Sequence, residues 1–466
     1  MSLKWIIGSI LFAFFLSYFS FTAYHLPMHA GPDYQFSRAA SDFYYQYNRM
    51  ATVDEDEDKM VFSAYGNTRL LRPPLGFYLP AQIAKLPIIN SVDRYFAYRL
   101  GNALLGALTV LLCFLAIRLY FQSNSYAVFA ALCVGLMPQF TFYASYLNDD
   151  MVALFGASFT AYAMVRVLKC GDTKWSLFLF AAAVGLTIIS KQTAWIFFGA
   201  AILFYCFFIL KPNSHFLSKH LFMGVIFIAT GGWWLLFNMY HYGWNDPVLS
   251  KVSQALVQKY ATYNLSEFGF SAKHGIEMKH LLILNFMNFI GASYQAVVGH
   301  LDWLKLRVGS LQYGFYLWMV CAIALNLICL LIDTGKLFVK NNAPDLDKDS
   351  TELKIIIGFQ WIMYSAIIIQ VLIYTWHNVY QDIQIQGKYL MPVLIPLLIL
   401  AFSFVQRVDH FLKANKRDMT ISKTRNFALL LVLFSIPVLV HLDALVDYVI
   451  PFYWPNMPIP AVLSWL

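Results

Sequence analysis

Five positions in this chain carry charged or polar side chains at the ends of long apolar runs. They are Asp33, Asn148-Asp149-Asp150, Lys191, His300-Leu301-Asp302 and Gln386-Gly387-Lys388-Tyr389. In such positions a carboxylate can accept a proton, and a lysine can hold an anion. Helix ends that face water attract polar residues in any case, so each position alone is weak evidence. Five of them on one face of the protein, if the topology places them there, indicate a site.

The composition indicates which class of protein must position these residues. Hydrophobic residues make up 59% of the 466, charged residues 12%, and the mean hydropathy is +0.58. An average soluble domain has about 25% charged residues, so lipid must cover much of this protein. The net charge of +8 does not indicate nucleic-acid binding, because the basic residues concentrate in loops between apolar runs. The six cysteines have no metal-ligand spacing, and no disulfide framework is expected.

Eleven apolar runs are long enough, or nearly long enough, to cross a membrane as helices. They lie at about 5–23, 100–120, 126–146, 151–168, 175–190, 192–210, 221–240, 311–333, 354–376, 389–406 and 427–447. The first run lacks a small-residue cleavage site and is predicted to be a retained helix. A lysine at membrane depth is costly, so the stretch 175–210 is split at Lys191. The sequence therefore predicts an all-α polytopic integral membrane protein with about 11 transmembrane helices.

Basic residues in the short loops predict the orientation of these helices. The residues concerned are Lys169, Lys174, Lys211, Lys219, Lys336, Lys340, Arg407, Lys413, Lys416, Arg417, Lys423 and Arg425. By the positive-inside rule, their loops and the N-terminus are cytoplasmic. The segments 24–99, 147–150, 190–192, 241–310, 377–388 and the tail after about 448 are then non-cytoplasmic, and all five polar positions face that side.

The first outer loop, residues 24–99, is too long and too aromatic to be a simple connection. Its acidic run Asp54-Glu55-Asp56-Glu57-Asp58 lacks the ligand spacing of a cation-binding loop. A solvated, flexible hairpin is therefore expected there in preference to a metal site. After Arg72-Pro73-Pro74, the amphipathic stretch Leu75–Leu86 is predicted to lie flat at the membrane interface.

A succession of short motifs gives the chain a family resemblance. In order they are Gly31-Pro32-Asp33, Arg72-Pro73-Pro74-Leu75, Arg99-Leu100-Gly101-Asn102, Met137-Pro138-Gln139, Asn148-Asp149-Asp150, Ser190-Lys191-Gln192-Thr193, Trp233-Trp234, Tyr242-Gly243-Trp244-Asn245-Asp246-Pro247 and Gln386-Gly387-Lys388-Tyr389-Leu390-Met391-Pro392. With these motifs the chain resembles the GT-C superfamily of polyprenyl-phosphate-dependent membrane glycosyltransferases, near the protein O-mannosyltransferases and lipid A aminoarabinose transferases. It is most similar to a bacterial family that opens with a Pro-Asp-Glu type motif.

The resemblance covers most of the first 400 residues, with three departures from the family pattern. Tyr34 follows Asp33 where the family often has a second acid, and Lys388 stands where arginine is usual. A histidine is common near the first motif in the family, but residues 34–99, which follow the motif here, contain none. These departures bear on the sugar and on metal dependence more than on the fold.

The resemblance implies an enzyme that moves a sugar from a polyprenyl-phosphate-type lipid donor to an acceptor hydroxyl, with inversion. It implies a role in cell-envelope glycan or lipid modification. The expected partners are the lipid-linked donor, a glycan, lipid or protein acceptor and membrane lipids, but no nucleic acid. No cofactor is expected, and the spacing does not support a divalent metal. The expected location is the bacterial inner (plasma) membrane, with the active site on the periplasmic face.

The resemblance also implies roles for particular residues. Asp33 is the candidate general base, with a structural N-cap as the alternative. The developing charge of a phosphate leaving group needs fixed cations, for which Lys191, Lys388 and Arg72 are the candidates. For the two lysines the alternative is snorkelling to the lipid headgroups. The candidates for binding the sugar or the acceptor are Asp149, Asp150, His300, Asp302 and Gln386.

Residues 1–406 are predicted to form the GT-C-like catalytic region, with 24–99 and 241–310 as its large outer loops. Residues 407–466 are predicted to form a cytoplasmic loop, the last transmembrane helix and an outer tail. Two other functions remain open. A transporter or flippase would show broken helices at corresponding places in two halves, whereas one clear break is visible. An O-antigen polymerase usually has an arginine-rich outer loop, whereas 241–310 contains a single arginine, Arg307.

Overall fold

The structure, a computed structural model, describes residues 3–89, 92–210, 216–302, 304–340, 348–415 and 423–455. Within these ranges the protein is almost entirely helical, and its one two-stranded sheet pairs strands of two residues each. The predicted all-α membrane class is confirmed. The predicted outer tail lies largely beyond Pro455, and Lys211, Lys416 and Arg417 of the predicted cytoplasmic loops also lie outside the described residues.

Twelve α-helices make up the first half of the chain. They are α1 (Leu3–His25), α2 (Tyr34–Tyr47), α3 (Val53–Asp56), α4 (Leu75–Ala84), α5 (Arg94–Phe121), α6 (Asn124–Gly135), α7 (Pro138–Ser145), α8 (Asp150–Cys170), α9 (Lys174–Ile188), α10 (Trp195–Phe204), α11 (Phe216–Phe227) and α12 (Trp233–Tyr242). Short 3₁₀ helices lie at Glu57–Lys59, Pro87–Ile89 and Gln192–Ala194. A π-helical segment, Tyr205–Ile209, extends α10, and another, Ile228–Gly232, joins α11 to α12.

The second half continues the helical pattern after a loop region. Its elements are α13 (Ser250–Tyr260), α14 (Phe270–His274), α15 (Phe286–Gly299), β1 (His300–Leu301), β2 (Leu306–Arg307), α16 (Ser310–Lys340), α17 (Lys348–Tyr380), α18 (Leu394–Asn415), α19 (Lys423–Ala444) and α20 (Ile450–Tyr453). β1 and β2 are antiparallel. Further 3₁₀ helices lie at Leu265–Glu267, Gly387–Tyr389 and Met391–Val393, and π-helical segments at His280–Leu284 and Leu445–Val449.

The described helices include nine that are long and apolar enough to cross a membrane, or ten if the bent pair α6 and α7 is one span. All eleven predicted runs are mainly helical, but the count of eleven spans is not confirmed. α6 and α7 are bent by 64°, because Pro138 begins α7 and cannot continue the hydrogen bonding of α6. α9 has 15 residues, which extend about 22 Å and fall short of a hydrocarbon core of about 30 Å.

The core of the bundle lies around α5 and α8. The apolar segments of these two helices are 72% and 78% buried, whereas those of α1 and α16 are 28% buried. Phe19 of α1 and Phe140 of α7 pack against one another with their rings tilted and the ring centroids 5.8 Å apart. α5 and α8 are therefore surrounded by protein, while the outer helices present an apolar face to lipid.

The first outer loop is folded, and the expectation of a solvated hairpin at 54–58 is wrong for its central residue. The Asp56 carboxylate is buried and accepts hydrogen bonds from Arg49 at 2.7 and 2.8 Å and from Lys59 at 2.8 Å. The physical reason is that two nearby cations compensate the burial of this acid. The predicted stretch after Pro74 is helical as α4, and it packs between α2 and α5.

Candidate active site

A cavity of about 830 Å³ lies where the first outer loop meets the break after α9, the start of α13 and the segment after α17. Five of the candidate site residues line it: Asp33, Arg72, Lys191, Gln386 and Lys388. These residues are up to 355 positions apart in the sequence. Three of the five predicted polar positions, those of Asp33, Lys191 and Gln386-Lys388, therefore contribute to one cavity, together with Arg72.

The chain that carries Asp33 is held in place by a buried arginine. The Arg99 guanidinium of α5 donates to the carbonyl oxygens of Ala23 and Leu26 at 2.9 and 2.6 Å, and to two further carbonyls at the end of α1. Ala23 belongs to the last turn of α1, whose carbonyls lack partners within the helix, and the other three carbonyls belong to the segment directly after it. Gly31 follows with a φ of +92°, and a Cβ there would lie 2.4 Å from the Tyr146 ring. Glycine is therefore required at this turn.

Asp33 occupies the N-cap position of α2, but its side chain makes no capping hydrogen bond. Its backbone is left-handed, with φ 61° and ψ 19°, a conformation that aspartate tolerates better than most residues. The carboxylate instead accepts a hydrogen bond from Arg69 Nη2 at 2.7 Å. The side chain is 31% exposed and lines the cavity. It is therefore accessible to a molecule in the cavity.

Arg69 links two of the candidate acids, and the sequence analysis did not single it out. Its Nη2 donates to Asp33, and its Nη1 donates to Asp149 Oδ2 at 2.8 Å. Burial works to lower the pKa of Arg69, but Asp149 and Asp33 outweigh it and raise the pKa. One feature of the sequence could have pointed to Arg69 as a site residue. It lies three residues before Arg72, in a loop segment that precedes two prolines.

Asparagine side chains fix the backbone that carries Asp149 and Asp150. Asn148 Oδ1 accepts from the backbone N–H groups of Asp150 and Met151 at 2.9 and 2.8 Å, and so caps α8. Asn102 of α5 donates to the carbonyl oxygens of Tyr146 and Asn148 at 2.7 and 3.0 Å. The two acids consequently begin α8 with a defined direction.

Asp149 is the centre of a group of ion pairs. We call this group the charged cluster; it consists of Asp33, Arg69, Arg72, Asp149, Asp150 and Lys191. Asp149 accepts from Arg69, from Arg72 at 2.9 Å and from Lys191 at 2.7 Å, and Lys191 also donates to Asp150 at 2.5 Å. Burial works to raise the pKa of Asp149, but Arg69 and Lys191 outweigh it, so the pKa lies far below its ordinary value. Asp149 is therefore ionised.

Lys388 differs from the other cations because it has no carboxylate partner. It lies in the 3₁₀ helix Gly387–Tyr389 and is only 6% exposed. Its ammonium lies 5.2 Å from the centre of the Tyr389 ring, and no salt bridge joins it to any residue of the described ranges. A Cβ at Gly387 would lie 2.0 Å from the Ala296 carbonyl oxygen, so glycine there lets this segment approach α15.

The other candidates lie away from the cavity wall. Asp149 and Asp150 lie behind it and contact the cavity residues through Arg69, Arg72 and Lys191. His300 belongs to β1, and its backbone N–H donates to Gln139 Oε1 at 2.9 Å. Asp302 Oδ1 accepts from the Gly31 N–H at 3.1 Å. In this arrangement Asp302 holds the turn before Asp33, and neither His300 nor Asp302 lines the cavity.

The cavity also has polar lining residues that the sequence analysis did not consider. Tyr65 comes from the first outer loop, and Ser250 and Ser253 come from α13 in the second. His377 and Asp382 come from the end of α17 and the segment that follows it. Within the described ranges there is no group of three His, Cys, Asp or Glu side chains that could hold a metal ion.

Comparison with known protein families gives one partial match. A family model described as dolichyl-phosphate-mannose-protein mannosyltransferase matches residues 71–234, about a third of the chain. This range contains Arg72, Asp149, Asp150 and Lys191, but neither Asp33 nor Lys388. The match supports a glycosyltransferase activity. A sequence comparison with curated proteins found no match.

Solved structures similar to this one come from larger membrane proteins. The archaeal oligosaccharyltransferase AglB from Archaeoglobus fulgidus, in complex with an inhibitory peptide and a dolichol-phosphate, is 14% identical with a TM-score of 0.51; the match covers 95% of this chain and 56% of AglB. ArnT from Cupriavidus metallidurans bound to undecaprenyl phosphate is 14% identical with a TM-score of 0.42, covering 87% of this chain and 61% of ArnT. The arabinosyltransferase EmbB from Mycobacterium smegmatis is 11% identical with a TM-score of 0.40, and the match covers 96% of this chain and 38% of EmbB.

This chain spans less than two thirds of the length of AglB, of EmbB and of ArnT in its complex with undecaprenyl phosphate. The similarity to AglB concerns the fold, and the family match concerns the part of the chain that contributes most of the charged cluster. Both agree with the resemblance that the motifs indicate. The chain therefore has the fold of the GT-C superfamily of membrane glycosyltransferases.

Proposed function

We propose that this protein transfers a sugar from a polyprenyl-phosphate lipid to an acceptor hydroxyl on the non-cytoplasmic face of the membrane. The cavity holds the phosphate and the sugar of the donor, while the polyprenyl tail lies among the helices. The description of the matched family names a dolichyl-phosphate-mannose donor and a protein acceptor. A mannose donor and a protein hydroxyl are therefore the first pair to test, before glycan and lipid acceptors.

The observation that carries this proposal is the buried, unpaired ammonium of Lys388. A buried charge is costly unless a partner compensates it, and no described residue provides a carboxylate. The charged cluster together with Lys388 has four cations and three carboxylates, which leaves one positive charge in excess. A phosphate at Lys388 supplies the missing anion.

Arg72 and Lys191 each have N–H groups that are not used by the carboxylates and can bind the same phosphate. Arg72 uses one guanidinium nitrogen for Asp149, and its side chain is 34% exposed at the cavity. The ammonium of Lys191 has three N–H groups, of which Asp149 and Asp150 occupy two. Both side chains therefore supplement Lys388 and keep their contacts with Asp149.

Asp33 is the general base in this proposal. Its carboxylate takes the proton of the acceptor hydroxyl while the hydroxyl oxygen bonds to the anomeric carbon. The bond from that carbon to the phosphate oxygen breaks, and its electron pair leaves on the phosphate, where the cations stabilise it. Arg69 holds the carboxylate in place. This single displacement inverts the anomeric carbon, so a product with retained configuration contradicts it.

The phosphate site is tested by binding of undecaprenyl phosphate to the purified wild-type protein and to Lys388→Gln. Glutamine keeps most of the side-chain length but removes the charge, so affinity should fall about ten- to hundredfold. Lys251→Gln is the matched control, because Lys251 is exposed on α13 and does not line the cavity. Equal affinity of the wild type and Lys388→Gln would overturn the proposed phosphate site.

A further inference from the structure

A second polar group lies on the cavity wall beside Lys388. His377 is in the last turn of α17, and Asp382 and Gln384 follow within seven residues. The Asp382 backbone N–H donates to the His377 carbonyl oxygen at 3.1 Å. The three side chains are thus held together by the turn that ends α17, and none of them belongs to the charged cluster.

His377 has a ring nitrogen without a partner. Its Nε2 is buried and has no hydrogen-bonding partner within the described ranges. The ring lies beside Tyr389, with 5.7 Å between the ring centroids. A buried nitrogen without a partner is destabilising, which leaves this atom available to a polar molecule in the cavity.

Asp382 has a carboxylate that is only partly used. The residue is 8% exposed, and its Oδ2 accepts from the Gln384 side-chain amide at 2.5 Å. No described cation forms a salt bridge with it. The backbone at this point is fixed, because the Ile383 N–H donates to the Phe268 carbonyl oxygen at 3.2 Å. Its other oxygen, Oδ1, can therefore accept a hydrogen bond from a molecule in the cavity.

The position of this group relative to Lys388 indicates which part of the donor it contacts. In a polyprenyl-phosphate sugar, one oxygen joins the phosphorus to the anomeric carbon, so the sugar ring must lie directly beside the phosphate. The Asp382 N–H bonds to the His377 carbonyl oxygen, the His377 ring lies beside Tyr389, which follows Lys388, and all three side chains line the cavity. A sugar attached to a phosphate at Lys388 therefore has His377 and Asp382 within its surroundings.

We propose that His377 and Asp382 bind hydroxyl groups of the donor's sugar ring, a role that rests on the proposed function. A neutral imidazole provides one N–H donor and one acceptor, and a carboxylate accepts from hydroxyls. Together they suit a sugar with neighbouring hydroxyl groups. The pair thus distinguishes the sugar-bearing donor from the bare lipid phosphate that remains after transfer.

The test compares the affinities of two lipids, undecaprenyl phosphate and undecaprenyl phosphate mannose, for the full-length protein. His377→Phe and Asp382→Asn should each weaken binding of the mannose lipid about tenfold and change binding of undecaprenyl phosphate by less than twofold. Gln381→Asn is the matched control, because Gln381 adjoins Asp382 but does not line the cavity. His377→Phe should not lower thermal stability, since no protein group loses a partner. Equal weakening for both lipids, or for neither, overturns the inference.

The outcomes separate this inference from the proposed function. If Lys388→Gln leaves both affinities unchanged, the phosphate site itself is wrong. If Lys388→Gln weakens both lipids but the wild type binds the mannose lipid no better than undecaprenyl phosphate, only the sugar site is wrong. If His377→Phe and Asp382→Asn bind the donor normally but have a raised KM for the acceptor, the two side chains bind the acceptor, and the inference is overturned. Unfolding of both His377→Phe and His377→Gln would assign His377 a structural role and overturn it as well.

Discussion

The placement of Asp33 on the cavity wall depends on residues that are distant in the sequence. Arg99 binds the carbonyl groups at the end of α1, Asp302 binds the Gly31 N–H, and Arg69 binds the Asp33 carboxylate. These contacts join the first outer loop to α5 and to the segment after α15. An acid held in this way keeps one orientation toward the cavity, which a general base requires.

The first prediction concerns Asp33→Asn. Asparagine keeps the shape of the side chain but removes the proton acceptor, so turnover should fall about 10²–10⁴-fold, while the affinity for undecaprenyl phosphate stays near wild type. Steady-state kinetics with the binding assay measure both quantities. Asp54→Asn is the control, since Asp54 is an exposed acid on α3 in the same loop and does not line the cavity. A loss of only a few-fold would make the carboxylate a positioning group.

The second prediction concerns Arg69→Lys. The arginine uses two nitrogens to hold two separate carboxylates, and a single ammonium cannot reproduce this planar fork. Turnover should fall about tenfold or more, because Asp33 loses its fixed orientation, while lipid-phosphate binding changes little. Arg38→Lys, at an exposed pair with 3.6 Å between its atoms, should have no effect. Wild-type turnover in Arg69→Lys would mean that charge alone suffices.

The contrast between Lys388 and Arg69 shows which site residues the sequence can indicate. Lys388 stands next to an apolar run, where a charge is costly and conspicuous. Arg69 stands inside a long polar loop, where an arginine has no cost, and its partner Asp149 is 80 positions away. His377 lies in an apolar helix, but one histidine there is usually a packed residue. Its missing partner becomes visible only when the surrounding side chains are in place.

At the scale of helices, the sequence predicts where the apolar elements lie better than how they bend. The predicted run 126–146 reads as one apolar stretch, but Pro138 divides it into α6 and α7. A single proline can kink or end a helix, and packing decides between the two. Here Thr141 Oγ1 donates to the Gly135 carbonyl oxygen at 3.0 Å, which satisfies a group at the end of α6 and stabilises the break.

The third prediction concerns the contact between α9 and the π-helical segment after α11. A Cβ at Gly231 would lie 1.7 Å from the Gly185 carbonyl oxygen, so the two backbones touch. Gly231→Ala must push the helices apart, and overpacking of this kind costs about 1–3 kcal/mol. Thermal unfolding of the purified protein should therefore show a lower midpoint for this variant.

The matched control for this contact is Gly224→Ala. Gly224 lies in α11, and a Cβ there would have no neighbour within 4 Å. Alanine has a higher helix propensity than glycine, so this variant should be as stable as the wild type or slightly more stable. Equal midpoints for Gly231→Ala and Gly224→Ala would show that the helices separate without cost.

At the scale of the whole molecule, the composition predicts the membrane class, but it does not predict that the outer loops are folded. Eleven apolar runs with few charges require lipid around them, and their helices lie where the runs are. The acidic run at 54–58 reads as solvated, but Asp56 is buried against Arg49. The contact of Lys259 with Glu57, at 2.7 Å, further joins the two outer loops. Such pairings between loops 200 residues apart have no local pattern in the sequence.

The fourth prediction concerns orientation. Ser63 lines the cavity and Ser266 is exposed in the second outer loop, whereas Ser350 lies at the start of α17 near the predicted cytoplasmic ends. With Cys170, Cys206 and Cys321 replaced, Ser63→Cys and Ser266→Cys should react with a membrane-impermeant maleimide added to intact cells. Ser350→Cys should react only after permeabilisation. The physical reason is the excess of lysine and arginine in the loops on the Ser350 side.

A native residue provides the control for this experiment. Cys170 is exposed at the end of α8, next to Lys169, so a variant that keeps only this cysteine should be labelled after permeabilisation and not before. Undecaprenyl phosphate mannose should also slow the labelling of Ser63→Cys but not of Ser266→Cys, because only Ser63 lines the cavity. Reversed accessibility of the three serine positions would place Asp33, Lys191 and Lys388 on the cytoplasmic side. The cavity would then face cytosolic nucleotides, and both the lipid-phosphate donor and the direction of transfer would have to be abandoned.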